Sequence, residues 1–166
     1  MEKPFYVEKE DKNLKLETAF LWTPSTDTQI LSFANSIRTI DGGSHENGFR
    51  AGLNKAVRNY IETHKLTPRG VKITHEDIRE GLLGILSVFI ADPQFQGQTK
   101  EKLTSANATR LIETSVKDNF EHWLTGDNAA SKYLLDYLIQ VAEERRRAKD
   151  QQEMSRKSAT RKLRLP

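Results

Sequence analysis

The chain has 166 residues, a net charge of +3, 36% hydrophobic and 30% charged residues and no cysteine. That is the length of one ordinary domain, with a modest core and room for a solvated, charged extension. The missing cysteines exclude a disulfide framework and thiolate metal sites. The opening MEKPFYVEKEDKN lacks the apolar heart of a signal peptide and no apolar run reaches membrane-spanning length, so a cytoplasmic protein without a membrane partner is expected.

From the N-terminus, Phe5 to Lys9 is a candidate strand. Leu14, Leu16, Thr18, Phe20 and Trp22 alternate with more polar neighbours, the period of two of a half-buried strand. The turn residues TPSTD lead into a second β-like run, Gln29 to Ile37, and the two together predict an antiparallel hairpin. At DGGSHENGF the period changes. Gly42 and Gly43 suit the positive φ of a sharp strand-to-helix corner, although the amides opening the next helix could also hold an anion. Ser44 is placed to cap that helix, which runs from about His45 to Thr63 with Phe49, Leu53, Ala56, Val57, Tyr60 and Ile61 on one stripe.

Thr74 with Glu76 and Asp77 predicts a short helical turn with acids at its positive end. Leu82 to Ile90, LLGILSVFI, is nearly all apolar and closes at Asp92 and Pro93, which predicts a central strand buried on both faces. From about Ser105 a helix carries Ala108, Leu111, Ile112, Val116, Phe120, Trp123 and Leu124 on one stripe. Gly126 stops it and Asp127 or Asn128 caps the next, which starts near Ala129 and buries Tyr133, Leu134, Tyr137, Leu138 and Val141. Beyond Ala142 the stripe ends. Residues 143–166 hold nine Lys or Arg against four Asp or Glu, a surplus of five positive charges in a chain whose net charge is +3. An exposed helical arm follows, either a solvated tail or a nucleic-acid contact. The closing RKLRLP reads as a chain continuing beyond this piece, with Met1 an added start.

Enzymatic templates fail one by one. GQTK has its lysine after the hydroxyl residue, the reverse of a phosphate-binding P-loop. His45, His64, His75 and His122 lack metal-ligand spacing and read as surface histidines. No serine has a G-x-S-x-G context. Tyr6, Tyr60, Tyr133 and Tyr137 read as core or surface aromatics. What remains is a donor cluster in Gln96–Leu103: Gln98 offers an amide, Lys100 an ammonium, and Gly97 a sharp bend. These donors suit phosphate oxygens, and equally an ordinary polar loop.

The blocks SFANSIRTIDGGSHENGFRAGL, REGLLGILSVFIADPQFQGQTKEKL and AEERRRAKDQQEMSRKSATRKLRLP resemble, in order and over nearly the whole chain, the transducer region of the B subunits of DNA gyrase and topoisomerase IV (ParE). One departure is GGSH where that family has GGTH, which keeps a hydroxyl at Ser44. The resemblance implies an α+β fold: an antiparallel-rich β-sheet covered by helices, with the left-handed βαβ crossover of ribosomal protein S-five domain-two-like transducers, followed by long C-terminal helices. It implies a core over residues 1–104 with the QTK loop, packing helices over 105–142, and a basic arm over 143–166 leading toward a Toprim domain.

In function the resemblance implies a part of an ATP-dependent type II DNA topoisomerase, an isomerase, that couples ATP binding and hydrolysis to DNA strand passage. Gln98 and Lys100 would contact the γ-phosphate of Mg-ATP held in a neighbouring GHKL ATPase domain, with Gly97 and Thr99 supporting the loop. No metal site and no complete catalytic set are expected in the piece itself. Implied partners are DNA and a gyrase A or ParC-type subunit in a heterotetramer, and Arg145, Arg146, Arg147 and Lys149 are candidate DNA contacts. Two other readings stand beside it: a free-standing nucleic-acid-binding module of the same fold, and the transducer of another GHKL ATPase.

Overall fold

The computed structural model describes residues 4–11, 14–23, 27–66, 72–91, 93–96, 100, 102–126 and 129–164. In chain order they form β1 (Phe5–Asp11), β2 (Leu14–Trp22), β3 (Gln29–Ala34), β4 (Ile37–Arg38), α1 (Ser44–Thr63), α2 (His75–Arg79), β5 (Leu82–Ile90), β6 (Phe95–Gln96), β7 (Lys102–Leu103), α3 (Ala106–Thr125) and α4 (Ala129–Arg164). The apolar run Leu82–Ile90 takes the middle of a five-stranded sheet ordered β1-β2-β5-β3-β4. It lies antiparallel to β2 along nine residues and parallel to β3 along six. The other two pairings are antiparallel, so the expected α+β, antiparallel-rich sheet is present.

The expected β2–β3 hairpin does not form, because β5 separates the two strands. Alternation sets which face a strand buries and leaves its partner open. The Gln29–Ile37 run instead folds on itself at Asn35 and Ser36, whose φ values of 50° and 69° make the two-residue turn of a β3–β4 hairpin. Asn35 then extends the parallel ladder. Its side-chain carbonyl accepts from the Ile90 amide at 2.8 Å and its NH2 donates to the Ile90 carbonyl at 3.0 Å.

Among the described residues the sheet is covered on one face only. Leu16, Phe20, Leu86 and Val88 point into the core with Phe49 of α1 and Phe120 of α3, and Phe20 meets both rings edge-on at 5.4 and 5.3 Å. The opposite face leaves Leu83, Ile85 and Phe89 exposed at 42, 52 and 41%, which corrects the expectation of a strand buried on both sides. An apolar run places a strand centrally; it does not supply a second layer.

Helix α1 buries Phe49, Leu53, Ala56, Val57 and Ile61 as its stripe predicts, with Tyr60 half-buried. A Cβ on Gly48 or Gly52 would stand 2.5 or 2.6 Å from a backbone oxygen of α3, so these two glycines let the helix backbones touch. Ser44 is not the cap: Gly43 holds that position, and the Ser44 hydroxyl finds no hydrogen-bond partner among the described residues. In α3, Ala108, Ile112, Val116, Phe120 and Leu124 are buried, while Leu111 is exposed and Trp123 half-buried. Gly126 ends α3 without a left-handed turn, at φ −70°. The expected caps at Asp127 and Asn128 lie outside the described residues. Leu134 and Leu138 of α4 are buried, Tyr137 and Val141 half-buried, and Tyr133 is exposed rather than buried. Among the described residues no helix is long and apolar enough to cross a membrane.

Candidate functional site

Beyond β5 the chain forms a small antiparallel ribbon, Phe95 opposite Leu103 and Gln96 opposite Lys102. Gly97, Gln98 and Thr99 lie outside the described residues. Lys100 is described: it is exposed, has φ 57°, and its ammonium stands 5.8 Å from the centre of the Phe95 ring.

The base of the ribbon is bolted down. Thr104 donates its amide to the Gln94 carbonyl at 2.7 Å, and the Gln94 amide donates to the Ser105 hydroxyl at 2.8 Å. Leu103 is buried, and its amide donates to the Gly42 carbonyl at 3.1 Å beside a parallel bridge to Gly43. Gly42 and Gly43 have φ of 72° and 131°, the positive values expected of the corner. The same corner thus turns the chain into α1 and fastens the ribbon. Asp41, Gly42, Glu46, Arg50 and Lys102 line a cleft of about 330 Å³ there.

Beneath the corner lies a polar cluster that the sequence pattern does not announce. Ser32 donates to Glu46 Oε2 at 2.9 Å, and its hydroxyl lies 2.8 Å from that of Thr39, which in turn lies 2.8 Å from His45 Nε2. Arg50 donates to Glu46 Oε1 at 3.1 Å, one turn along α1. His45 is fully buried rather than on the surface, and that burial lowers its pKa from 6.5 to about 4.

The neutral ring has a consequence for stability. In the unfolded chain His45 takes a proton below about pH 6.5, in the folded chain only below about 4. Its contribution is therefore complete above pH 6.5, drains away as pH falls through this window, and is gone below it. The full loss amounts to at most ~3 kcal/mol. Urea unfolding followed from pH 7 to pH 4.5 is expected to lose stability progressively, and His45→Asn to flatten that slope.

The arm is anchored as well. Arg145 Nε donates to Asp77 Oδ1 at 2.7 Å and Nη2 to Asp77 Oδ2 at 3.1 Å and to the Lys72 carbonyl at 3.2 Å. Asp77 is almost fully buried and also accepts the Thr74 amide at 2.9 Å, completing the capping box of α2. Hydrogen bonding to Asp77 raises the pKa of the Arg145 guanidinium. Arg146, Arg147 and Lys149 follow on an exposed stretch of α4, where Arg147 stands 4.0 Å from Glu143.

Comparison with known proteins adds a family. A family model described as DNA gyrase B matches residues 1–154. The chain belongs to the DNA gyrase B family. It is 42% identical over 164 residues to the DNA topoisomerase 4 B subunit of Caulobacter vibrioides, covering 96% of this chain and 24% of that protein. It thus spans about a quarter of the length of the curated relatives it matches. Among solved structures it resembles the 43K ATPase domain of Thermus thermophilus gyrase B, crystallised with an aminocoumarin, at TM-score 0.85 and 28% identity, over 93% of this chain and 42% of that one. It also resembles the topoisomerase IV ATP binding domain of Francisella tularensis, crystallised with a small-molecule inhibitor, at TM-score 0.75 and 33% identity, over 86% of this chain and 39% of that one.

For this gyrase B family chain, the structure separates the predicted contacts into two places. Lys100 belongs to the ribbon tip, whereas Arg145, Arg147 and Lys149 lie on α4. Arg145 commits its guanidinium to Asp77 within the fold. The Thr74, Glu76 and Asp77 signal was legible as a short helical turn with acids at its start, but an arginine 68 residues away leaves no local trace of its pairing.

Proposed function

We propose that this chain is the transducer segment of the B subunit of a bacterial type II DNA topoisomerase, an ATP-dependent isomerase. It would lie between a GHKL ATPase domain and a Toprim domain of the parent chain. In this reading residues 1–104 form the transducer core, 105–142 its packing helices and 143–166 the arm, and the β3–α1–β5 connection is the left-handed crossover. Gln98 and Lys100, held by Gly97 and Thr99, contact the γ-phosphate of ATP bound in the neighbouring domain. Coupling that contact to DNA passage involves a gyrase A or ParC-type partner subunit, with Arg147 and Lys149 nearest to a DNA-contacting role and Arg146 beside them.

The observation that carries this reading is the position of Lys100: an exposed ammonium on a two-stranded ribbon whose base is hydrogen-bonded to the corner of the sheet. Such a loop carries a charge outward without losing its aim. Among the described residues no three His, Asp or Glu side chains converge to hold a metal ion. What the described residues offer a nucleotide is cationic, which suits its phosphates rather than a magnesium ion. Only a ligand with different affinities for two arrangements can shift their balance. The terminal phosphoryl of ATP supplies that difference, since ADP lacks the oxygens Lys100 would meet.

Hydrogen exchange on the parent subunit tests this. A non-hydrolysable ATP analogue is expected to protect residues 97–101 and ADP to leave them unprotected. Equal protection by both nucleotides would remove the loop from phosphate sensing. The rival nucleic-acid module is read by a salt series: tight binding of DNA to this chain alone with a steep salt slope favours it.

A further inference from the structure

Strand β5 joins two ends of the molecule. Its C-terminal end leads into the ribbon carrying Lys100, and its N-terminal end follows directly from α2. Helix α2 and its exit are tied firmly to the sheet. Trp22 Nε1 donates to the Ile78 carbonyl at 2.7 Å, Thr28 Oγ1 to the Arg79 carbonyl at 2.5 Å, and the Thr23 amide to the Gly81 carbonyl at 2.8 Å. The short helix therefore moves with β5 as one body.

Helix α4 meets that body through core packing of Leu134, Leu138 and Ala142, through Tyr137 Oη, which donates to the Thr23 carbonyl at 3.1 Å, and beyond these through a charged pair. Its buried apolar positions end at Ala142, and Arg145, three residues further on, reaches Asp77 with two donors and the Lys72 carbonyl with one of them. Two parallel N–H bonds to a carboxylate fix direction as well as distance, which a lysine ammonium does not do. Asp77 cannot swing to follow the arm, because its Oδ2 also accepts the Thr74 amide and the residue is 1% exposed. A helix advances about 1.5 Å per residue. A small change of angle at Arg145 is therefore magnified along the rest of α4, which runs on to Arg164.

We propose that the Asp77–Arg145 pair is the joint that sets the direction of the α4 arm and passes displacements of β5 to it. Both are positioning residues, acting on the arm rather than on nucleotide. The joint stands on the contacts alone; its role in energy coupling rests on the reading of Lys100 as a phosphate sensor.

The two parts are tested separately. The chain has no cysteine, so Glu62→Cys on α1 and Gln151→Cys on α4 give a unique spin-label pair in the full chain. One narrow distance distribution is expected, broadened by Arg145→Met and by Asp77→Asn and partly restored by Arg145→Lys. An unchanged distribution in Arg145→Met, with the fold intact by circular dichroism, overturns the joint.

In the parent subunit assembled with its partner, Arg145→Met is expected to keep the analogue-dependent protection of residues 97–101. Strand passages per ATP hydrolysed should fall about fivefold or more, the lower end of measured coupling between sites. Unchanged passages per ATP overturn the coupling role. Absence of nucleotide-dependent protection in the unsubstituted parent refutes the phosphate sensor instead, and leaves the spin-label result to decide the joint.

Discussion

In the parent subunit, Lys100→Ala is expected to lower ATP hydrolysis roughly ten- to hundredfold while leaving the melting temperature of the protein nearly unchanged. Hydrogen bonds to charged groups contribute about 1.5–3 kcal/mol, and each 1.4 kcal/mol is about tenfold in an equilibrium. The fold does not depend on this side chain: it is exposed, and its described contact is the face of Phe95 at 5.8 Å. Activity and stability should therefore separate, as they should not for residues at the ribbon's base. Steady-state ATPase rates with a parallel thermal melt decide the matter. Unchanged kinetics would take Lys100 out of the mechanism, and a large drop in melting temperature would make its role structural. A Lys100→Arg variant should recover part of the rate, since the charge is kept while the compact three-donor head is replaced by a flat fork.

The core face was legible in the sequence because one period governs it. Leu14, Leu16, Thr18, Phe20 and Trp22 alternate along the chain and are the buried residues of β2. The stripes of α1 and α3 were legible for the same reason, and the acids after Thr74 marked the short turn of α2, although not its capping box. Strand partnership was not. The parallel pairing of β3 with β5 joins residues some fifty apart, and neither strand's period differs from that of a hairpin arm. Asn35-Ser36 was the available signal, since asparagine tolerates positive φ and opens two-residue turns.

The candidate site divides along the same line. Residue type marked Lys100 as one donor of a polar loop after the strongest strand, and its proposed role came from the family resemblance. His45 was misjudged because nothing adjacent in sequence indicates that Ser32, Thr39 and Glu46 gather into one buried cluster around it. Gly48 and Gly52, four residues apart within a helix, acquire their meaning only from α3, whose backbone they let approach. The Arg145 guanidinium was one charge among nine basic residues of the arm, and composition cannot tell that it faces inward.

Gly43→Ala is expected to cost about 4 kcal/mol of stability, the sum of a strained backbone conformation and a forced rearrangement of packed neighbours. Gly43 has φ 131° and ψ −158°, a region closed to residues with a side chain. Its added Cβ would stand 2.2 Å from the Leu103 carbonyl oxygen and 2.5 Å from the Leu103 nitrogen. These are backbone atoms of a buried residue, so relief requires moving the ribbon itself. Gly42→Ala makes the instructive comparison. Its Cβ would also fall 2.2 Å from an oxygen, but that oxygen is Oε2 of Glu46, a side-chain end that can move by giving up its hydrogen bond from Ser32 rather than a backbone atom. With φ at 72° it incurs mainly the left-handed penalty of about 1–2 kcal/mol. Denaturant unfolding should therefore show a clearly larger loss for the Gly43 variant than for the Gly42 variant, and equal losses would mean that the ribbon is not held by this corner. In the parent subunit the Gly43 variant should also lose discrimination between ATP analogue and ADP at residues 97–101, because a displaced Leu103 turns the tip away from the place where a fixed ammonium has to be.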